Sequence, residues 1–325
     1  MIRRRLGLAL AAVCSSILCT WGTPVQAQSF PVRPLTLVVP FPPGGSADIL
    51  ARAVAQRLAK RLDQAVVVEN KAGAGTAIGT RFVAESAPDG HTLLIGTVSS
   101  HAINPALNKV GYDPVTDFAS IAPLVSIPFV LVAHPATPYS NLGELLAEAR
   151  RRPGAVSYAS AGAGTSNHLA GELLALSAQL NLVHVPYRGS APALADVLGG
   201  HVPLMFDLVT TSASSIRAGK LKALAVTGLQ RSPLLPEVPT AAESGVPGFE
   251  ISAWFAIFAP SRVPVPVLGR LSAEMQEVLR APDMAQNLRD LGGEPDPRTP
   301  AQFAAYLKSE VAKYSSLLKT AGLAQ

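Results

Sequence analysis

Along most of the chain, short β-branched runs alternate with amphipathic stretches of helical period, the pattern of parallel strand–helix units. Leu35–Val39 predicts a strand, and Phe41-Pro-Pro-Gly-Gly45 turns it into a helix opened by Ser46 and running to about Lys60. Ile49, Leu50, Ala53, Val54 and Leu58 fall on one face of that helix. Ala65–Glu69 predicts a second strand, followed by the Gly73/Gly75/Gly79 turn and a helix to Glu85. A Pro88-Asp89-Gly90 turn leads to a third strand, Thr92–Gly96. Beyond a loop at Ser99–Asn104, Ile121–Val125 and Phe129–Ala133 read as two strands with Pro128 between them. The cycle restarts at Asn141 with a helix to about Arg152, strand Val156–Ala159, a glycine-rich turn and a helix to about Gln179. Strands at Val183–Val185, Leu204–Phe206 and Leu221–Val226 then interleave with helices at Ala191–Leu198 and Ser212–Ala218. After the Pro233–Pro239 connection, Trp254–Ala259 predicts one more strand. Helices near Pro266–Arg280, Pro282–Leu291 and Ala301–Leu318 close the chain, the last with Phe303, Leu307, Val311, Tyr314 and Leu318 as a core stripe.

The fold class is therefore α/β. Extended segments near Phe129–Ala133 and Glu250–Ala259 predict two crossings between domains, so that residues 129–249 form one domain inserted into another made of 28–128 and 250–325. A length of 325 residues accommodates two such cores.

Residues 1–27 read as an export signal. Arg3, Arg4 and Arg5 give the positive start, Leu6–Trp21 the apolar stretch, and Val25-Gln26-Ala27 the small residues of a cleavage site before Gln28. A retained anchor fits less well, because Ser15, Ser16 and Thr20 interrupt a run already short of a membrane span. A lipoprotein is disfavoured by Val13 and Leu18 before the two cysteines, Cys14 and Cys19. Three of the 27 basic residues and none of the 22 acidic ones lie in this segment, so its removal lowers the formal net charge from +5 to +2. It also removes both cysteines. No basic stripe with interleaved aromatics appears, and nucleic acid is excluded as a partner. The expected product is a monomeric periplasmic protein.

Motifs for covalent or redox chemistry are missing. There is no Gly-x-Ser-x-Gly elbow, and Ser316-Leu-Leu-Lys319 sits in the last amphipathic helix without the partner motifs of a Ser–Lys enzyme. The six histidines (His91, His101, His134, His168, His184 and His201) show no metal-ligand spacing, so neither metal nor cofactor is expected. Gly73-Ala-Gly75-Thr-Ala-Ile-Gly79 is a loosened dinucleotide fingerprint with its third glycine displaced and no acid at the required distance. Gly162-Ala-Gly164-Thr-Ser-Asn167 lacks a third glycine, and Pro43-Gly44-Gly45-Ser46 lacks the lysine of a phosphate loop.

Two similar loops remain. Gly44, Gly45 and Ser46 precede one helix, and Ser160-Ala-Gly-Ala-Gly-Thr165 precedes another. Free N–H groups at a helix start carry about half a positive charge and suit a carboxylate. Ordinary strand–helix turns use the same residues, and from the residues alone both readings stand.

At these loops the chain resembles the Bug (TctC-like) family of periplasmic solute-binding proteins. The likeness runs in order through Pro40-Phe-Pro-Pro-Gly-Gly-Ser-Ala-Asp48, Val68-Glu-Asn-Lys-Ala-Gly-Ala-Gly75, Ala87-Pro-Asp-Gly-His-Thr-Leu-Leu94 and Tyr112-Asp-Pro-Val-Thr-Asp-Phe118. It continues through Tyr158-Ala-Ser-Ala-Gly-Ala-Gly-Thr165, His184-Val-Pro-Tyr-Arg-Gly-Ser-Ala-Pro-Ala193 and Val238-Pro-Thr-Ala-Ala-Glu243. The resemblance implies a two-domain clamshell of the type II, Venus-flytrap kind with the ligand between its domains. It implies a small carboxylate (di- or tricarboxylate, acidic amino acid or aromatic acid) as ligand and a tripartite tricarboxylate-type permease as membrane partner. Carried over by motif, the contacts fall on Phe41, Gly44, Gly45, Ser46, Asp48 and Thr97 in the first domain. In the second they fall on Ser160, Ala161, Gly164, Thr165, Tyr187 and Asp207. Asp48 equally fits a helix-capping role, Asp207 a buried hinge hydrogen bond, and His168 and Trp254 simple packing. His91 stands where the family usually has tyrosine, and Arg188 where it usually has lysine, its planar guanidinium suited to a bidentate carboxylate. A sensor subunit for a membrane kinase and a secreted hydrolase are the alternatives. The hydrolase requires a titratable pair open to the cleft.

Overall fold

In the computed structural model, residues 30–323 are described, and the predicted signal segment 1–27 lies outside them. β1 (Leu35–Val39) is apolar on both faces and almost wholly buried, as a central parallel strand requires. It pairs in parallel with β2 (Val66–Asn70) on one side and β3 (Thr92–Thr97) on the other. β4 (Phe118–Ala133) is antiparallel to β9 (Ser252–Pro260), which in turn is antiparallel to β3. β5 (Val156–Ser160) lies parallel between β6 (Leu182–Pro186) and β7 (Leu204–Leu208). The strand order is β2-β1-β3-β9-β4-β7-β5-β6, with β8 (Lys222–Val226) and the two-residue β10 (Glu294–Pro295) also paired to β4.

The sequence predicts two strands around Pro128; the structure has one strand of 16 residues. Residues 118–128 pair with β9, and residues 129–133 pair with β7 and β8. Proline has no N–H for a ladder, and Pro128 stands where the strand changes partners, so no sheet bond is lost. Phe129 N–H then bonds to the Thr227 hydroxyl (2.9 Å). The two half-sheets thus share β4 as a spine, and each builds a lobe.

Helices cover both half-sheets: α1 (Ser46–Leu62), α2 (Ala77–Ala84), the one-turn α3 (Asn104–Leu107), α4 (Leu142–Arg151) and α5 (Ser166–Ala178). They continue as α6 (Ser190–Leu198), α7 (Val209–Arg217), α8 (Val265–Arg280), α9 (Pro282–Asp290) and α10 (Pro300–Thr320). The predicted core stripe of α10 holds at Phe303, Leu307, Tyr314 and Leu318, all buried. Trp254 on β9 lies edge-on to Phe303 at 5.3 Å and donates its indole N–H to Glu310 (3.1 Å), fixing α10 against the crossing strand. Trp254 is therefore core. In the predicted Ser99–Asn104 loop the chain instead makes a wide π-turn, Ser99–Ile103, leading straight into α3. Among the described residues no helix is long and apolar enough to cross a membrane.

Candidate functional site

α1, α5 and α6 each begin at the C-terminal end of a parallel strand, where open α/β sheets bind their ligands. Ser46 and Ala47 of α1, Ser166 and Asn167 of α5, and Ser190 and Ala191 of α6 all line one small cavity of about 30 Å³. Its floor is Ala253 and Phe255 of β9, with Thr97 at the end of β3 and Leu208 at the end of β7. No Asp, Glu, Lys or Arg lines it. The first N–H groups of a helix have no intrahelical acceptor, so the polar character of this cavity comes from three helix ends and hydroxyls. The volume suits a carboxylate or about two waters. Phe41 and Pro42 also line an adjoining outer cavity of about 1030 Å³, whose other walls are the 72–78 and 161–163 loops, Asn104, Asn108, and the 186–189 segment.

The lobes touch across this cleft. Ser166 N–H donates to Ser99 Oγ (2.9 Å), and Ser99 Oγ donates to Ser166 Oγ (3.1 Å). A β-carbon on Gly189 would sit 2.7 Å from Pro42 Cγ, and one on Gly75 would overlap the Ala163 carbonyl oxygen. Only glycine lets these surfaces come so close. Gly75, which the sequence offers as part of a failed dinucleotide fingerprint, is thus a point where the lobes meet.

Of the residues carried over by motif, Phe41, Gly45, Ser46 and Thr97 line the inner cavity, and Phe41, Ala161, Thr165 and Tyr187 line the outer one. Gly44, Asp48, Ser160, Gly164 and Asp207 line neither. The first four belong to the hydrogen bonds that brace the loops, whereas Asp207 holds the start of α7. Gly44 N–H donates to Asp48 Oδ2 (3.1 Å), Arg52 grips both Asp48 oxygens (3.0 and 2.9 Å), and Asn70 donates to Asp48 Oδ1 (2.9 Å) and to the Phe41 carbonyl (3.1 Å). Burial pushes the Asp48 carboxyl up, but the Arg52 guanidinium, Gly44 N–H and Asn70 amide outweigh it and hold its pKa below the usual range. Asp207, fully buried, accepts from Thr211 (2.5 Å) and Ser212 (2.7 Å). Burial pushes its carboxyl up to about 6 against those hydroxyls.

The second loop has its own brace. Ser160 Oγ accepts from Gly162 N–H (3.0 Å) and lies 2.6 Å from His184 Nε2, while Gly164 N–H donates to His168 Nδ1 (3.4 Å). His168 and His184 stack at 4.0 Å. A serine within hydrogen-bond reach of a histidine is the geometry of a nucleophile–base pair. Here the serine is fully buried behind the loop it supports. Burial lowers the His184 pKa to about 4, with the neighbouring His168 adding to it. His168, which the sequence reads as packing, supplies the acceptor for Gly164.

Sequence reasoning missed Ser99, Asn104, Ser166, Asn167, Ser190 and Ala191. For Ser166 and Ser190 a signal existed, because small hydroxyl residues at helix starts are cap candidates. Nothing local says that three helix starts converge.

A half-sheet of parallel strands on each side of an antiparallel crossing, with helix ends facing a cleft, defines a two-domain periplasmic binding protein fold. The comparisons give the family: residues 50–323 match the tripartite tricarboxylate transporter family receptor, TctC. The chain belongs to that family. It is 42% identical over 319 residues (97% of this chain, 94% of the relative) to a protein of Pseudomonas sp. from the tcbD-tcbE intergenic region. It is 36% identical over 317 residues (96% and 97%) to protein BugT of Bordetella pertussis. Among solved structures it resembles the periplasmic binding protein BugD (38% identity, TM-score 0.87, covering 91% of this chain and 99% of that one). It also resembles R. palustris Rpa4515 with adipate (36%, 0.87, 91% and 99%) and Rhodopseudomonas palustris MatC with bound malate (35%, 0.85, 89% and 100%). BugD is a periplasmic binding protein, and Rpa4515 and MatC hold the carboxylates adipate and malate.

Proposed function

We propose that the protein is a periplasmic receptor, not an enzyme, which captures a small organic acid between its lobes and delivers it unaltered to a tripartite tricarboxylate-type permease. The observation that carries this reading is the convergence of three helix N-termini on one small cavity without a charged side chain. Each such end favours an anion by about 1 kcal/mol. Ser46, Ala47, Asn167, Ser190 and Ala191 present N–H groups to the carboxylate head, with Phe41, Gly45 and Thr97 enclosing it. Gly44, Asp48, Ser160 and Gly164 act one step back by holding the loops in shape. Adipate in Rpa4515 and malate in MatC support the ligand class, and the TctC match supports the permease partner. Export through removal of residues 1–27 belongs to the same proposal, as do the domains 28–128 with 250–325 and 129–249. The exchange of sheet partners within β4 at Pro128/Phe129 supports those boundaries. Ligand bridging both lobes favours the closed form, and the permease reads that form.

Gly45 provides the test. Its backbone is in the ordinary extended region (φ −85°), and a β-carbon there meets nothing within 4 Å, so Gly45→Val folds while placing its side chain at the inner cavity. In a calorimetric panel of organic acids the wild type is expected to bind at least one, with a thermal shift that grows with concentration. Gly45→Val should lose at least 100-fold in affinity with an unchanged circular dichroism spectrum. A full panel without a binder, or a variant that binds as well as the wild type, refutes the assignment.

A further inference from the structure

A four-carbon acid seated at the helix ends would leave most of the outer cavity's roughly 1030 Å³ to water. That volume is in the range of pockets that hold much larger ligands. Its walls are largely apolar, among them Pro40, Pro42, Ala72, Ala74 and Ile78. The lining contains two charged residues, Lys109 and Arg188, and no acid. Neither has a hydrogen-bond or ion-pair partner among the described residues, whereas nearby Arg52 is gripped by Asp48 and Lys71 by Glu69. Lys109 follows α3 in the first lobe, and Arg188 follows β6 in the second.

We propose that the ligand is an elongated dianion, with one carboxylate at the helix ends, an apolar body through the outer cavity, and a second anionic group read by Arg188 and Lys109. This rests on the carboxylate-receptor reading above and goes further by naming the far end. Two free cations on an apolar wall without a counter-charge attract an anion and reject a second cation. A planar guanidinium matches a carboxylate at two points. Because the cations come from opposite lobes, a group that engages both also favours closure. Both side chains are exposed, so the preference they give is moderate and screened by salt.

The test is a ladder of saturated α,ω-dicarboxylates from about four to ten carbons, each measured against the monocarboxylate of equal length. Isothermal titration calorimetry is run on the full exported chain, at low and high salt. Beyond a threshold length the dicarboxylate is expected to bind about tenfold tighter than its partner, less so at high salt. Arg188→Leu should cut that ratio, Arg188→Leu combined with Lys109→Met should bring it to parity, and Arg188→Lys should keep part of it. If monocarboxylates bind as well at every length, or the ratio survives in the double variant, the dianion proposal is overturned while the receptor reading stands. If no acid of either series binds while another acid of the wider panel does, the dianion proposal is overturned and the receptor reading stands; if nothing in the wider panel binds, both fall.

Discussion

The two loops that open α1 and α5 occupy equivalent places in the two lobes, after β1 and β5, yet they are held by opposite chemistry. The Phe41–Gly45 loop is tied by an ionic network in which Asp48 is the shared acceptor for Gly44, Arg52 and Asn70. The Ala161–Thr165 loop is tied by neutral groups, with Ser160 and His168 taking the Gly162 and Gly164 N–H groups and His184 behind them. A glycine-rich loop has little conformational preference of its own, so each must be shaped from behind. The first is shaped by charge at the lobe edge, where Arg52 is 56% exposed and remains hydrated. The second lies over a half-buried pair of stacked imidazoles, with the Glu172 carboxylate 3.7 Å from His168 Nε2 on the far side.

The largest expected effect is at the first loop. Asp48→Ala leaves Gly44 N–H, Arg52 and Asn70 without their common acceptor. We expect a loss of about 2 kcal/mol in urea unfolding, a figure already reduced for the exposure of Arg52. Organic-acid affinity should fall by at least tenfold by calorimetry, because the helix start that faces the inner cavity loses its support. Asp48→Asn keeps an acceptor for Gly44 and should lose less on both measures. An Asp48→Ala protein with full stability and affinity would remove the ionic brace from the account.

A smaller effect is expected at the second loop. Ser160→Ala leaves the half-buried Gly162 N–H without its acceptor, a cost of about 1 kcal/mol. Because Thr165 Oγ1 still bonds to the Gly162 carbonyl (2.6 Å) and Gly189 N–H to the Ala161 carbonyl (3.1 Å), the loop keeps most of its course. Affinity should drop a few-fold, measured in the same titration. A Ser160→Ala loss larger than that of Asp48→Ala would reverse the ranking of the two braces.

These two loops also mark where sequence reading succeeds and where it stops. Glycine, serine and apolar periodicity are local signals, and they place β1, α1, β5 and α5 within a residue or two of their observed bounds. Pro128 misleads because proline punctuates strands locally, whereas here it marks an exchange of partners that only the tertiary fold reveals. Asp48 fits both a ligand and a brace in the sequence. Position 70, which helps decide between them, lies on the neighbouring strand and has no sequence relation to position 48. The convergence of Ser46, Ser166 and Ser190 is invisible for the same reason: it is a property of sheet order, not of spacing.

The smallest effect is a difference in acid response. His184 has a folded-state pKa of about 4 against an ordinary 6.5, so between those values the unfolded chain binds a proton that the folded one refuses. Its contribution to stability is intact above 6.5 and is lost as pH falls towards 4. His168, also lowered by burial, acts with the same sign, and protonating its Nδ1 removes the Gly164 acceptor. Asp207 acts in reverse: raised to about 6 from 3.8, it binds a proton in the folded state first, so acidification from 6 to 3.8 stabilises. Asp48, held below its ordinary 3.8, titrates beneath this window and leaves the first loop unaffected there. By differential scanning calorimetry between pH 6.5 and 4.5, the wild-type melting temperature should fall, because three histidines (His168, His184 and the fully buried His101, which burial lowers to about 3) oppose one carboxyl. Asp207→Asn should fall more steeply and His184→Gln less steeply than the wild type. If both variants change the slope in the same direction, the neutral-imidazole brace is not what distinguishes the second loop from the first.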